Sequence, residues 1–494
     1  MRIVGLVCLF ALVFVGLLRC AIFVGYATTW SAYPHETHPT EAKVVHLAWR
    51  VQFGVTLYPE WREYPHVANF FSPVYFWLVG GIGRSLGSSL EQLFFAGRVV
   101  TVVSTLLASF AVFRHLSCVD QPRVALVGAV FSVGAAPMYG FAVMARPDVL
   151  ADTFGLSGYL LLISWNRRTL PMVGLLFALA FLTKQTAGIY LLAAVATCLM
   201  QPRRRREFGR LFGWSAGGLA ATLIPLHLFE PHAISCLLGE GASPFSYEHC
   251  LQTWQHLLMS SPDLPFFAII GLINWWRKPQ RNVDLFILTL LLLLFALVSV
   301  AKIGADQNYF LGLRSVEALL VGNLFGSASI RLASRTHVLV LVIGSLMIAQ
   351  GACHGFQRYV HARRLVHNLE TSQGQDLLRR YFEVVDLGNR TDLRLLTDTD
   401  VIALRQRDRA PFVDSFLFRL LVDTGRIEPR YLEQQIRDEA FDLLVLTSDL
   451  RLCEEQGYKE TIFALPDRLA RVARQRYLLV GQHGGFSFYR PRSR

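Results

Sequence analysis

Between two apolar runs, residues 28–70 carry two carboxylates, Glu36 and Glu41, flanked by His35 and His38. A carboxylate held near an acceptor hydroxyl can take its proton as the hydroxyl attacks. Further along, ionisable residues interrupt stretches that are otherwise apolar. Arg146 and Asp148 open one run, Lys184 breaks another, and Lys302, Asp306 and Asn308-Tyr309 sit between two more. Charge at membrane depth is costly, so such residues mark a substrate or ion path, or else pair with one another. Lysine and arginine there suit an anion that gains charge as a bond breaks. Two plainer readings stand beside this one: a solvated first loop with incidental acids, and a purely structural pairing of Arg146 with Asp148.

What must position these residues is a membrane scaffold. The 494 residues are 53% hydrophobic and 17% charged, with a mean hydropathy of +0.38. A soluble protein of that length would leave too much apolar surface uncovered. Apolar runs fall at about 3–27, 72–90, 98–116, 123–144, 149–165, 170–200, 209–229, 264–276, 284–301, 307–326 and 336–354. A spanning helix needs about 20 such residues, and about 17 at least. Several runs are shorter or carry Gly and Pro, which predicts tilted, broken or partly submerged helices in a polytopic bundle of ten to twelve apolar helices. The run at 3–27 is long and no A-x-A site follows it, so it reads as an uncleaved first helix rather than a signal peptide. Residues 28–70 turn aromatic and Pro-rich in their second half, as interfacial segments do.

The formal net charge of +12 gathers in short loops, such as Asn166-Arg167-Arg168 and Arg203-Arg204-Arg205-Arg206. The positive-inside rule accounts for such loops, and nucleic acid is not needed as a partner. Taking 166–169, 203–210, 276–281 and 331–335 as cytoplasmic puts 183–185, 230–265, 302–309 and everything after Cys353 on the opposite face. Residues 28–70 join them if the N-terminus is cytoplasmic. One conflict arises. Strict alternation from the first helix puts Arg146-Pro147-Asp148 in the cytoplasm, whereas counting back from Arg167 puts it outside. The second count requires one apolar run between 72 and 144 not to span. On that count Glu36, Glu41, Asp148, Lys184 and Lys302 share one face.

Charged residues become dense after about residue 355, which divides the chain into a membrane part, 1–354, and a soluble α/β unit, 355–494. In the latter, 393–398 and 442–446 read as short buried strands, 430–440 as a helix and 484–489 as a last strand. No nucleotide-binding glycine fingerprint follows the early strands. Asp398, Asp400 and Asp414 read as solvated acids or helix caps. Asn389-Arg390-Thr391 is a glycosylation acceptor only where the host glycosylates. Eight cysteines show no CxxC and no metal spacing. Cys236 and Cys250 share one predicted external loop; pairing and two free thiols are both open readings.

The charged set makes sense for one reaction. With a sugar joined through phosphate to a polyprenyl lipid at the interface, a carboxylate assists the attacking hydroxyl and Lys and Arg stabilise the departing lipid phosphate. Attack opposite that phosphate inverts the anomeric centre. A transporter or lipid flippase is the alternative, but it would show repeated halves and midplane ionisable groups. A receptor-like anchor would not need so many spans.

Seven motifs in order resemble the GT-C glycosyltransferases over residues 1–326, in the branch of the bacterial lipid A aminoarabinose transferase and the rhizobial core transferases, with protein O-mannosyltransferases more distant. They are the acidic loop 33–43; Gly54-Val55-Thr56-Leu57-Tyr58; Asn69-Phe70-Phe71-Ser72-Pro73-Val74-Tyr75; Gly97-Arg98; Arg146-Pro147-Asp148; Leu182-Thr183-Lys184; and Gly304-Ala305-Asp306-Gln307-Asn308-Tyr309-Phe310. The resemblance implies a first-loop carboxylate as catalytic base. Glu41 is favoured by its spacing from Gly54-x-x-Leu57-Tyr58, and Glu36 is the reserve, although the usual Asp of that loop is missing. It implies Asp148 as a second acid, Lys184, Lys302, Arg146 and Arg98 near the donor phosphate, and Asn308, Tyr309, Tyr58 and Tyr75 lining the cavity. No obligatory metal or cofactor is implied, with a divalent cation between the acids left open. The implied partners are a polyprenyl-phosphate sugar, a glycan, lipid or protein acceptor and membrane lipids. The implied place is a bacterial inner membrane with the site and the C-terminal unit extracytoplasmic.

Overall fold

The computed structural model describes residues 2–493 apart from 32, 34, 35, 88, 120, 121, 134–139, 165, 166, 203, 239–243, 277, 278, 306, 332–334, 448 and 451–463. His35, Asn166, Arg203 and Asp306 therefore lie outside the described residues. The chain folds as an α-helical membrane bundle followed by a small α/β unit. Helix α1 (Arg2–Ser31) leads to the first loop, which holds α2 (Pro39–Gln52) and α3 (Val74–Leu86). Then come α4 (Leu90–Val119), α5 (Pro122–Val133), α6 (Asp148–Ile163), α7 (Leu170–Thr183), α8 (Gly188–Met200) and α9 (Arg205–Phe229). The bundle is completed by α10 (Tyr247–Ser260), α11 (Asp263–Trp276), α12 (Pro279–Ser299), α13 (Leu311–Arg331) and α14 (Arg335–Glu370).

Among the described residues, three helical stretches are both long and apolar enough to cross a membrane: Val13–Ser31, Leu90–Cys118 and Arg205–Phe229. The pair α10 and α11, bent by 92°, makes a fourth if counted as one span. Others are short. Helices of 14 and 13 residues, as α7 and α8 are, reach only about 20 Å at a rise of 1.5 Å per residue. A hydrocarbon core is about 30 Å thick, so neither helix is long enough to cross it alone, and the turn at Lys184 breaks the apolar run between them.

The run at 72–90 resolves the topological conflict. It forms α3, only 13 residues long, and both its ends stay on one face. Immediately after it, Glu91 at the start of α4 meets Arg405 of the C-terminal unit at 3.4 Å, and Arg98 one to two turns later meets Glu41 of α2. Helix α3 lies against α2 instead of crossing: a Cβ on Gly80 would sit 2.7 Å from the carbonyl oxygen of Ala48. Arg146-Pro147-Asp148 lies on the same face as the first loop, the backbone N–H of Ala145 donating to Glu41 at 2.6 Å.

Contacts define two faces. On one, Lys43 pairs with Asp414, Lys184 with Asp148, and His249 with the carbonyl of Ala305 at 2.8 Å. On the other, where the basic loops lie, Arg204 pairs with Asp284 at 3.5 Å and donates to the carbonyl of Ile163 at 3.2 Å, and Gln201 also donates to Asp284. Between the faces, Arg19 of α1 pairs with Asp263 and with Glu317 (3.3 Å), all three fully buried.

No linker marks the composition shift at 354. Helix α14 runs through it without a break, from the apolar bundle into the charged segment, and α15 (Ser372–Asp386) follows. The α/β unit then lays out β1 (Leu395–Thr397), α16 (Asp400–Gln406), α17 (Ser415–Asp423), α18 (Arg430–Arg437), β2 (Leu443–Leu446), α19 (Asp467–Arg476), β3 (Tyr477–His483) and β4 (Phe486–Pro491). The sheet order is β1-β2-β4-β3, with β1 and β2 parallel and the other pairs antiparallel. The sequence reading finds β1, β2, β4 and α18 but not β3, whose side chains after Tyr477 are mostly exposed and so lack an apolar signature. Gly484 and Gly485, both at positive φ, close the hairpin from β3 to β4.

This unit has no separate core. Ala42, Val45, Leu57 and Trp61 of the first loop belong to the same buried cluster as Leu396, Ile402, Phe412 and Leu444. The backbone of His66 donates to the carbonyl of Pro411 at 2.8 Å, and the His66 ring stacks on Phe418, 5.3 Å between centroids.

Candidate functional site

The acids and cations singled out from sequence divide into two neighbouring groups. The first is closed. Glu41, in the first turn of α2, is fully buried and accepts five hydrogen bonds. Arg98 donates to both its oxygens (3.1 and 2.9 Å), the Ala145 backbone N–H gives 2.6 Å, and the Thr37 N–H and hydroxyl give 2.6 and 2.7 Å. Arg98 also donates to the carbonyls of Trp30 (3.0 Å) and Tyr33. A carboxylate so saturated has little capacity left for a substrate proton. What it does hold is Ala145, three residues before Asp148. The Thr101 hydroxyl, on the carbonyl of Met144 at 2.9 Å, holds the same turn from α4.

The second group is open. Asp148 begins α6 and accepts from Lys184, from Arg146 Nε at 3.1 Å and from Asn308 Nδ2 at 2.6 Å. Lys184 reaches it because α7 stops at Thr183 and Lys184 itself is extended (φ −156°), breaking the apolar run. The Arg146 guanidinium stands 5.1 Å from the Phe141 ring, and the Lys184 ammonium 5.3 Å from that of Tyr309. The structural reading of Arg146 with Asp148 is thus half right: the pair exists, but within a four-residue cluster that faces open space.

Two hollows meet at Asp148. One runs among the bundle helices past Lys184, Asn308 and Tyr309 to Ile189, Leu292 and Phe295. The other opens toward the C-terminal unit and is walled by Arg146, His38, Lys43 and Phe71 on one side and Asp400, Asp414 and Phe416 on the other. The first is narrow with an apolar end; the second is wide, with charged side chains set into an otherwise largely apolar wall.

The remaining expected residues fall elsewhere. Arg98 serves Glu41 and touches neither hollow. The Tyr58 hydroxyl donates to the carbonyl of Phe71 (2.8 Å) and that of Tyr75 to Gly97 (3.1 Å), so both brace the loop rather than line the cavity. Lys302 is half-buried in an isolated bridge to Phe245; its neighbours Ile303, Gly304 and Ala305 line the wide hollow, and it does not. Glu36 lies off the cavity too, with one buried oxygen lacking a hydrogen bond. Burial, with Asp400 and Glu41 close by, pushes its carboxyl well above the usual range.

Sequence reasoning missed several participants. Of the acids read as solvated or as helix caps, Asp414 is a cap, holding the N–H of Leu417 (2.9 Å) at the start of α17, and it also pairs with Lys43, whereas Asp400 is buried and accepts from Ser415. Asp398 is buried as well and accepts from the Thr447 N–H at 2.8 Å. Asp152, on the wall of the narrow hollow, is held by Arg314 and Tyr190. Arg314 interrupts an apolar run as plainly as Lys184 does, so its signal was available. Cys236 and Cys250 are free thiols. Among the described residues no group of three or more His, Cys, Asp or Glu could hold a metal ion.

A bundle of apolar helices with an acid-bearing first loop and a soluble C-terminal unit is the GT-C architecture, and this chain has that fold. The family model for dolichyl-phosphate-mannose-protein mannosyltransferase matches residues 71–233, about a third of the chain. ArnT from Cupriavidus metallidurans, in the apo state, is similar over 96% of this chain and 97% of its own, at 12% identity and a TM-score of 0.58. The same protein bound to undecaprenyl phosphate gives 13% identity and 0.56, over 96% of this chain and 97% of that one. An oligosaccharyltransferase from Archaeoglobus fulgidus, tethered to an acceptor peptide, is similar over 98% of this chain and 74% of its own, at 12% identity and 0.61. No curated protein sequence matches the chain.

Proposed function

We propose that this protein is an integral-membrane, inverting glycosyltransferase that moves a sugar from a polyprenyl-phosphate donor to a hydroxyl acceptor on the extracytoplasmic face. The observation that carries the reading is Asp148 with Lys184, Arg146 and Asn308, set where a narrow hollow among the bundle helices joins a wide one under the C-terminal unit. The fold and the family model support it, and so does a neighbour of similar fold solved with undecaprenyl phosphate bound.

In this reading the lipid phosphate enters the narrow hollow, its prenyl chain along Ile189, Leu292 and Phe295. Its oxygens compete with Asp148 for Lys184 and Arg146. As these cations turn to the phosphate, Asp148 is released to accept the proton of the acceptor hydroxyl, which attacks the anomeric carbon from the wide hollow. The C–O bond to phosphate breaks as the new glycosidic bond forms, and the electron pair leaves on the lipid phosphate, whose charge Lys184 and Arg146 stabilise. Asp148 thereby takes the role that the family resemblance gives to the first loop, and Glu41 positions the turn that carries it. No metal is required for such a leaving group, and the acceptor is a glycan, lipid or protein hydroxyl. The basic loops opposite the site support an orientation with the site and the C-terminal unit outside the cytoplasm, and the membrane in this reading is a bacterial inner membrane.

Reconstitution tests it. Proteoliposomes holding the full chain and undecaprenyl-phosphate sugars should form undecaprenyl phosphate and glycosylated acceptor, and Lys184→Gln should lower that turnover. Substrate-independent movement of the lipid-linked sugar across the bilayer, with no transfer by any donor, would instead favour the flippase reading.

A further inference from the structure

A third recess lies apart from the two hollows and shares no lining residue with them. It sits between the C-terminal end of α2 and the segment at the end of α16 and just after it. Its floor is aromatic, Trp49 and Phe53, with ring centroids 5.2 Å apart. Its rim is basic, Arg405, Arg407 and Arg409.

The three arginines are not equivalent. Arg405 is answered by Glu91 at 3.4 Å and Asp386 at 3.5 Å. Among the described residues no carboxylate pairs with Arg407 or Arg409. Arg409 donates to the carbonyls of Arg390 (2.9 Å) and Gly388 (3.2 Å), which fixes the guanidinium without neutralising it. Arg407 is exposed and stands 5.9 Å from the centroid of the Trp49 ring. Its backbone is at φ +59°, ψ −127°, a conformation that glycine adopts easily and other residues do not. The chain therefore holds an arginine where glycine would be comfortable, and the guanidinium lies over an aromatic ring.

The surroundings identify the occupant. Helix α2 packs along α3, and α3 and the start of α4 turn Trp77, Leu78, Leu86 and Phe95 outward, as residues facing acyl chains do. A ligand there meets two guanidinium groups that, among the described residues, pair with no carboxylate, above an aromatic floor. We propose that this recess binds the phosphodiester headgroup of an anionic membrane phospholipid, with Arg407 and Arg409 on the phosphate and the glycerol and first methylenes against Trp49 and Phe53. Such a lipid would bridge the interfacial helix and the C-terminal unit at the edge of the protein.

Lipid binding needs no turnover, so this stands or falls separately from the transferase reading. The full chain is reconstituted in nanodiscs of phosphatidylcholine, with or without phosphatidylglycerol, and retained lipid is counted by native mass spectrometry. Wild type should retain phosphatidylglycerol in preference to phosphatidylcholine, and each guanidinium removed, in Arg407→Gly or Arg409→Gln, should lower that preference roughly fivefold. Arg407→Gly should unfold at the same temperature as wild type or higher in phosphatidylcholine alone, because glycine relieves the backbone, which separates lost lipid from lost fold. Equal phosphatidylglycerol retention by wild type and both variants overturns the proposal. So does protection by inorganic phosphate equal to that by the lipid, which would make the recess a free-anion site.

Discussion

Glu41 and Asp148 are both buried carboxylates touching arginine, yet they are placed for different work. Glu41 spends its lone pairs on Arg98, Ala145 and Thr37, whereas Asp148 borders both hollows. Removing the charge of Glu41 leaves Arg98 buried without its partner, a loss that costs about 3–5 kcal/mol when one member of a buried pair is deleted. Glu41→Gln is accordingly expected to lower the unfolding temperature by several degrees while the folded fraction keeps a near-normal kcat; differential scanning fluorimetry beside turnover per folded molecule checks it. Asp148→Asn should behave in the opposite way, losing about 10²–10⁴-fold in kcat with a smaller effect on substrate KM. The sequence marks Glu41 as a candidate but cannot show that it is spent on Arg98, Thr37 and Ala145. The partner that silences it, Arg98, lies 57 positions away, and only the fold brings the two together. Lys184 was legible because a lysine inside an apolar run has few reasons to be there. By the same signal Arg19, Asp152, Arg314 and Glu317 were also legible.

At the scale of elements, the short helices matter most. The apolar run at 170–200 reads as one stretch, but its break at Lys184 turns it into two helices, each too short to cross a membrane alone, and leaves a lysine at the turn between them. Helix α3 shows the complementary lesson. Its apolar composition resembles a span, and its short length, 13 residues, with its packing along α2 tells it from one. Composition alone does not fix where a helix begins and ends, which is why the run at 72–90 left the topology in conflict. The wide hollow depends on a glycine. Gly304 has φ +82°, and a Cβ there would lie 2.5 Å from the Phe416 ring. Gly304→Ala should therefore push the C-terminal wall outward. The expected result is a raised acceptor KM and faster proteolysis of the 407–416 segment, with binding of the lipid donor unchanged; unchanged KM and proteolysis would show that the wall does not shape the acceptor site.

As a whole molecule, the protein is less divisible than its composition suggests. The shift in charge near residue 355 is real, but α14 carries the backbone straight across it, and the C-terminal core continues into the first loop. The sheet was partly legible because buried strands announce themselves in runs such as Leu443-Leu444-Val445-Leu446. The docking was not, since Lys43 with Asp414 and His66 with Pro411 join residues hundreds of positions apart. Asp398 gives this unit a pH dependence. Burial pushes its carboxyl from 3.8 up to about 7, against the lowering effect of the Thr447 hydrogen bonds. Between about pH 4 and 7 the folded state keeps a proton that the unfolded chain has released, so stability is highest below that window and is lost as pH rises through it. Asp398→Asn should flatten the fall, measured as unfolding temperature against pH; an equally steep profile in the variant would assign the dependence to another group.

The central claim is that Asp148, with Lys184 and Arg146, carries sugar transfer from a polyprenyl-phosphate donor. It is tested most directly by single-turnover transfer in proteoliposomes loaded with undecaprenyl-phosphate sugar, comparing wild type, Asp148→Asn and Glu41→Gln at equal folded protein. The account predicts transfer by wild type and by Glu41→Gln, and almost none by Asp148→Asn. Transfer by Asp148→Asn at the wild-type rate, with Glu41→Gln folded but inactive, would contradict it and return the base to the first loop.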